Sequence, residues 1–467
     1  MAPSIPSECS ERQERQTRAL RRHDPRAAGI SVSIADGIAA LEDFAAAIDG
    51  FNRRSSRPNP FRSADFLRCY ALHGEYHVPG AEERLFLVFD GGQLIGCAPM
   101  RRTLDAFGAV AGSLGLRGTR LQFLAPFDTE QPGVLCALED EQRVAAALIN
   151  YFCEREPDWG MVELAGQRPG GHLYRAAHAL ADRRFRVRDF GVQPYHEIEL
   201  RWPDVRAFFR SLPKKMRSNI SRQARRLYAA PEPELVLASG AEATSAWFEA
   251  YCDLDRRSWK HGTPSSIRRD QRRVQFYREL LAGRGGLEPS FVGILLGGML
   301  VAGLIVGATS ASLADPHGAW CLEMAYDRSL ASLGPGHLLL LLGVAQAIER
   351  GDRWLNFMQN FAYYKHRWGA QPIDVVNVQI IRRASLHNVS AAAGELRRRF
   401  RRADALPALR PDSDHEGAGP GAQAAPVTGP EHEHARILTQ TALGYAGPGV
   451  RCLNREQAMA VLPFDLA

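Results

Sequence analysis

Four groups of residues combine charged or reactive side chains with a spacing that could do chemistry. Ser332-Leu333-Gly334-Pro335-Gly336-His337 joins an apolar strand ending near Tyr326 to an apolar helical run. A glycine loop that opens a helix offers unpaired backbone N–H groups to an anion, and the helix dipole favours negative charge there. Glycines also let the backbone approach a phosphate closely. A plain glycine start to a helix has the same sequence. It is not the dinucleotide fingerprint, because Leu339 stands where the third glycine belongs. The second group is Tyr363-Tyr364-Lys365-His366-Arg367-Trp368-Gly369, where a lysine supplies a point charge and a phenol can be a general acid. A surface turn with packed aromatics fits it equally. The third is Glu323 with Asp327, on and just after the strand before the glycine loop. A strand carboxylate facing a cleft can deprotonate an amine, and an outward-facing carboxylate looks the same in sequence. The fourth is the basic run Lys214, Lys215, Arg217, Arg222, Arg225, Arg226. On a helix it suits a phosphate or nucleic-acid backbone, or simply solvent. Tyr228 is the nearest aromatic, so base stacking is poorly supplied.

Elements that would position these groups follow from apolar periodicity. The spacing predicts helices over 202–210, 212–228, 241–260, 268–281 and 336–350, the last closed by Gly351. Strands are predicted near 290–296, 299–308, 319–326, 354–358 and 375–382. Helices, then a meander, then a strand–helix–strand crossover make a mixed α/β sheet. One hairpin pattern occurs twice. Leu85–Phe89 and Gln93–Cys97 flank Gly91-Gly92, and Phe291–Leu296 and Met299–Leu304 flank Gly297-Gly298. The interval fits two similar domains of roughly 150–200 residues each. The expected organisation is a polar tail over 1–29, a first domain over 30–195 and a second over 196–390. A helix end and Gly/Pro-rich linker over 391–435, holding His432-Glu433-His434, and a short segment over 436–467 complete it. Asn454 and Gln457 have capping-box spacing.

Composition narrows the class. The chain has 467 residues, 45% hydrophobic and 24% charged, enough for a sizeable core without staples. Its 58 basic and 52 acidic residues leave +6, too little to imply nucleic acid by itself. Only Lys214, Lys215, Lys260 and Lys365 are lysines. The eight cysteines are scattered without CxxC spacing, so no metal site is expected and reduced thiols are. GxSxG, GxxxxGK[ST] and HExxH are missing. With a polar start and no apolar run of membrane length, the reading is a cytoplasmic protein without a transmembrane segment.

Taken together, these pieces resemble the GNAT-superfamily acetyltransferase-like proteins related to the cellulose-biosynthesis protein CelD, themselves similar to Fem-type peptidyltransferases. Asn59-Pro60-Phe61-Arg62-Ser63-Ala64-Asp65-Phe66-Leu67 resembles the family's opening helix, and Leu212–Ile220 its basic entry helix. Arg257-Ser258-Trp259-Lys260 resembles its Arg/Trp segment. Tyr326-Asp327 with Leu333-Gly334-Pro335-Gly336 resembles its aspartate and Pro-Gly loop, and Tyr364-Lys365 with Trp368 its Tyr-Lys motif. The resemblance covers about residues 35–385.

The resemblance implies two tandem GNAT-like domains, the first degenerate. It implies acyl transfer from acetyl-CoA or another acyl-CoA to an amine or hydroxyl of a polysaccharide or envelope precursor. Carried over, Gly334 and Gly336, with His337, would hold the donor pyrophosphate. Arg217, Lys365 and Trp259 would contact substrate. Tyr364 would protonate the leaving thiolate, and Glu323 or Asp327 would serve as base. Two departures stand out: Ala331 occupies the loop's usual Arg or Gln position, and Asn356 stands where relatives carry an aspartate. Fem-type relatives use aminoacyl-tRNA, which leaves that donor, with the Lys214–Arg226 face as its contact, as an alternative. A non-catalytic scaffold is the other.

Overall fold

The computed structural model describes residues 29–74, 80–104, 118–124, 132–155, 159–180, 184–192, 194–310, 313, 317–358, 363–392, 430–444, 449–454 and 457. The expected tail over 1–29, apart from Gly29, and most of the expected linker lie outside them. The chain forms two compact units: residues 1–194 with 374–408, and residues 195–373 with 409–467.

The first unit holds β1 (Ile30–Asp36), α1 (Ala39–Asp43), α2 (Ala45–Arg54), α3 (Ala64–His73), β2 (Glu82–Asp90), β3 (Gln93–Leu104), β4 (Thr119–Phe123) and β5 (Leu135–Cys136). Then come α4 (Glu141–Glu154), β6 (Trp159–Gln167), α5 (His172–His178) and β7 (Phe185–Val192). The second unit begins with β8 (Tyr195–Glu199), α6 (Val205–Ser211), α7 (Lys214–Tyr228), β9 (Pro233–Ser239), α8 (Ala241–Arg257) and α9 (Gln271–Glu279). It continues with β10 (Leu287–Leu296), β11 (Met299–Thr309), β12 (Gly318–Tyr326), α10 (Pro335–Arg350), β13 (Trp354–Asn356), α11 (Tyr363–Arg367) and β14 (Gln371–Ile373). The chain returns to the first unit as β15 (Val376–Arg382) and ends in the second with α12 (Pro430–Gly444) and β16 (Val450–Leu453).

Both sheets follow one plan. The first has the order β1-β2-β3-β4-β6-β15-β7, with β5 added on β3; the second reads β9-β10-β11-β12-β13-β8-β14, with β16 added beside β9. In each, four antiparallel strands lead to one parallel pair, β4 with β6 or β12 with β13. An antiparallel strand from elsewhere in the chain is then inserted before the last strand. The duplicated hairpins are β2–β3 and β10–β11 and hold equivalent places. Their glycines have positive φ at both turn positions, +53° and +85° in one and +55° and +70° in the other. That is the two-residue turn whose twist matches the strands it joins.

Val376–Arg382 corrects the expectation of a contiguous second domain through 390. It is a strand, but it pairs with β6 and β7 of the first sheet. Val376, Val378 and Ile380 pack there with Phe86, Leu148 and Trp159. An apolar run states that a strand will be buried on both faces, not which sheet will bury it. His432-Glu433-His434 lies on helix α12 and not in a linker. Asn454 and Gln457 do exchange the two capping bonds, at 3.1 and 3.0 Å.

In the second unit, α7 and α10 cover one sheet face. Met216, Ile220, Ala224 and Leu227 meet Leu338–Leu342, with Val292, Leu304 and Val306 beneath. On α8, Trp247 stacks on Phe291 at 5.5 Å. All eleven residues of β11 are buried, as a central strand sandwiched between helices requires. Among the described residues, no helix is long and apolar enough to cross a membrane.

Candidate functional site

The second sheet opens where β12 and β13 part. Their parallel pairing covers only Gly318–Trp320 against Trp354–Asn356. Beyond it β12 runs on to Tyr326, paired among the described residues with β11 alone. Leu322 is an extra residue there, since Ile305 faces Glu323 while Val306 faces Cys321. A bulge bends its strand and re-aims side chains. Cys321 and Tyr326 accordingly pack toward the α7–α10 core, whereas Glu323 meets Lys260 and Arg273.

At the end of β12 the chain makes a 3-10 turn over Arg328–Leu333 and enters α10 through Gly334, which has φ +62°. Pro335 occupies the first helical position, where a missing N–H is harmless. A Cβ on Gly334 would lie 2.2 Å from the Gln223 amide, so this glycine is required twice over, by backbone and by space. A Cβ on Gly336 would meet only ordinary contact, 3.5 Å from the Tyr326 ring. His337 Nδ1 lies 2.9 Å from Gln223 Oε1. Ala331 brings no polar side chain to the loop; Gln223 of α7 brings an amide instead.

At the other lip, Asn356 ends β13 and its Oδ1 accepts from the Met358 N–H at 2.7 Å. Met358 has φ +60°, a conformation unusual for a non-glycine residue. Lys365 donates to the Met358 carbonyl at 3.2 Å. The Lys365 side chain is 3% exposed. Burial brings its ammonium down to about 8, the neighbouring Cys321 thiol opposing. Burial pushes the Cys321 thiol up to about 12, with Lys365 pulling the other way. Burial also drives the Tyr364 phenol well above its ordinary value, and Cys321 adds to this. His196, from the inserted strand β8, is brought down to about 4 by burial and by the charges of Lys365 and His366. Its ring meets His366 edge-on at 5.0 Å. Cys321 is the first β12 residue past the last parallel pair, so Lys365 and Tyr364 gather where the two strands separate.

The carboxylates expected to act as bases are otherwise engaged. Glu323 is buried between the Lys260 ammonium and the Arg273 guanidinium, the latter at 2.7 Å. Burial alone would raise its carboxyl; the two cations outweigh it and hold it below the usual range. Asp327 pairs with Arg257 and also caps the 3-10 turn, accepting from the Ser329 N–H at 3.0 Å. Arg257 further reaches Asp253 and the Leu300 carbonyl. Between these two clamps sits Trp259, 44% exposed. Arg217, expected at substrate, spends Nη1 on the Arg210 and Leu212 carbonyls at 2.7 and 2.8 Å, capping the end of α6. The exposed side of α7 carries Lys214, Lys215, Arg222, Arg225 and Arg226.

Tyr364 and Lys365 therefore stand together at one lip, and Gly334, Gly336 and His337 form the loop that follows β12. Sequence reasoning missed Gln223, His196 and Cys321. The glycine loop and the Tyr-Lys pair drew notice to this region; nothing in their own segments pointed to these three. Among the described residues no group of three or more His, Cys, Asp or Glu could hold a metal ion.

Residues 214–366 match the family described as "Acetyltransferase (GNAT) domain". No curated protein matches the chain in sequence. Among solved structures, one titled "Crystal structure of FemX" aligns with a TM-score of 0.50 and 11% identity, over 72% of this chain and 95% of that one. A tandem GNAT protein from the clavulanic acid biosynthesis pathway aligns with a TM-score of 0.42 and 13% identity, over 75% of this chain and 98% of that one. Residues 214–366 of the second unit thus match an acyltransferase-type GNAT domain, and the chain's mixed α/β fold is similar to that of FemX.

Proposed function

We propose that the second unit transfers an acyl group from an acyl-CoA to an amine or hydroxyl, the acceptor being a polysaccharide or envelope precursor. One observation carries this reading. A parallel strand pair opens beside a left-handed glycine loop and a helix N-terminus, with a buried lysine at the opening. The residues suit such a donor. Gly336 carries no side chain at the start of α10, where the helix dipole favours an anion, so a pyrophosphate can approach the backbone there; the Gly334 and His337 N–H groups already donate to the Ala331 and Gly334 carbonyls, at 3.0 and 3.2 Å. The thioester then reaches into the opening.

In the reaction the acceptor nitrogen or oxygen bonds to the acyl carbon, and the carbon–sulfur bond breaks. Charge on the carbonyl oxygen is met by hydrogen-bond donors, and on sulfur by a proton. A phenol pushed as high as Tyr364 is too weak an acid to surrender its proton to a thiolate, whose ordinary value is about 8.5. It remains a hydrogen-bond donor. The Lys365 ammonium, at about 8, matches a thiol closely. Lys365 gives the leaving sulfur its proton, and the resulting amine takes the proton the acceptor must lose. Glu323 and Asp327 hold Trp259 and the start of the glycine loop in place.

Calorimetric titration with coenzyme A and acetyl-CoA tests the donor. Micromolar binding that a Gly336→Trp variant abolishes supports the reading; no binding by folded protein overturns it. Tyr364→Phe lowers turnover more than donor affinity; if neither changes, the phenol has no part. A second reading, an aminoacyl-tRNA donor, draws on the α7 face. Lys214 and Lys215 sit in that helix's first turn, where the dipole disfavours cations, and no acid accompanies them. Salt-sensitive tRNA binding that α7 substitutions weaken would favour it.

A further inference from the structure

The first unit contains a cavity of about 120 Å³. At about 10–15 Å³ of such volume per water, that is room for ~8 waters, or for the few heavy atoms of a small organic molecule. Its place in the fold is telling. One wall is the start of α4, the crossover helix between parallel strands β4 and β6, and the other is the end of β6 with the start of α5. The two sheets share one strand plan. By that plan α4 holds the place that α10 holds in the second unit, and the cavity lies beside its start, lined by β5 and β6 residues such as Cys136, Gly166 and Gln167. Ligands of open α/β sheets bind at the carboxyl ends of parallel strands.

Its chemistry differs from that at the start of α10. Where α10 begins with a glycine loop, α4 begins Leu138-Glu139-Asp140-Glu141. Acids at a helix start repel a pyrophosphate. Glu141 lines the cavity, while the facing segments contribute Arg62, Arg168 and His172. Arg168 is exposed, and none of the described residues is hydrogen-bonded or ion-paired to its side chain. His172 Nδ1 lies 3.0 Å from Arg175 Nη2. A guanidinium only donates, so Nδ1 accepts and a neutral His172 carries its proton on Nε2, as a donor. Between the two walls lies the Cys136 thiol. Burial pushes it up to about 12, Glu141 adds to this and Arg62 opposes it, so both signs of charge act on one small space.

We propose that this cavity binds a small zwitterion of the α-amino acid type, its carboxylate toward Arg62, Arg168 and His172 and its ammonium toward Glu141. The Cys136, Ala145 and Leu173 surfaces and the small volume select a short side chain, as in glycine, alanine or serine. The inference does not depend on acyl transfer by the second unit.

The test titrates the full chain with glycine, L-alanine and L-serine, and with acetate and ethylamine as half-molecules, by calorimetry and saturation-transfer NMR. The expected result is binding of at least one amino acid below 10 mM and at least tenfold weaker binding of either half. Arg168→Ala and Glu141→Gln, both outside the core, each weaken the amino acid at least tenfold, and Gly336→Trp leaves it unchanged. Three results overturn the proposal: no amino acid bound at 10 mM by folded protein, acetate bound as well as glycine, or Glu141→Gln without effect.

Discussion

Replacing Lys365 by methionine is expected to stabilise the second unit while removing its activity. Methionine keeps most of the unbranched side chain, one atom shorter, and discards the charge. Bringing an ammonium from 10.5 down to about 8 means that keeping its charged form buried costs about 3 kcal/mol at pH 7. The hydrogen bond to the Met358 carbonyl returns about 1 kcal/mol of this. The variant is thus expected to gain about 2 kcal/mol at neutral pH. The pH dependence has a definite sign. Below pH 8 the lysine is charged folded and unfolded, and the penalty is complete. Between about 8 and 10.5 the unfolded chain holds a proton that the folded chain has lost, so wild-type stability rises with pH. The gap between wild type and variant therefore closes across that window. Buried groups away from Lys365 cancel in the comparison, and the Cys321 thiol, which Lys365 pulls down, stays protonated in the folded chain through pH 10 with or without it. Urea denaturation followed by tryptophan fluorescence at pH 7 and pH 10 reads it, and all the tryptophans except Trp159 lie in the second unit. Turnover should fall ~100-fold or more, the usual worth of a proton-transfer group. A variant less stable than wild type at pH 7, or a gap that does not change with pH, would refute the reasoning.

The carboxylate Glu323 offers a contrasting outcome. Glu323→Gln leaves Lys260 and Arg273 facing each other in a buried site and should destabilise the second unit by about 3–5 kcal/mol; a turnover loss at unchanged stability would instead make Glu323 the base. Gly334→Ala forces a left-handed conformation worth about 1–2 kcal/mol and displaces Gln223, whereas Gly336→Ala should alter the unfolding free energy read from urea titration by less than ~0.5 kcal/mol. Changing Lys214, Lys215, Arg225 and Arg226 to glutamine should leave acetyl-CoA affinity as it is. If tRNA is the donor, the slope of log affinity against log salt should flatten by up to about 3.6.

Local rules made much of the second unit legible. Consecutive glycines between apolar runs fix a hairpin whatever surrounds it, because they alone take two positive φ values cheaply, and both hairpins formed. Gly334, Pro335 and Gly351 mark the ends of α10 for similarly local reasons. The rarity of lysine drew attention to Lys365. The roles of the carboxylates were not legible. Glu323 alternates along a strand as any solvent-facing residue would, and only the extra residue at Leu322 together with Lys260 and Arg273 makes it a buried ion-pair partner. Arg217 reads as a substrate cation until α6 is seen to end beneath it. Gln223 lies more than a hundred residues before His337, and no pattern in α7 announces the contact.

The sequence by itself determined most elements of the second unit, the duplicated hairpin and the loop that opens α10, since each depends on neighbours within a few residues. Tertiary structure decided where β8 and β15 go, because an apolar strand pairs wherever two open edges and a core will bury it. It also decided which charged groups are available. A side chain's proton affinity depends on how much water is removed and on which charges are brought near. In this chain burial sets Lys365 apart from an ordinary surface lysine, against the opposing pull of Cys321 on a strand far from it in sequence.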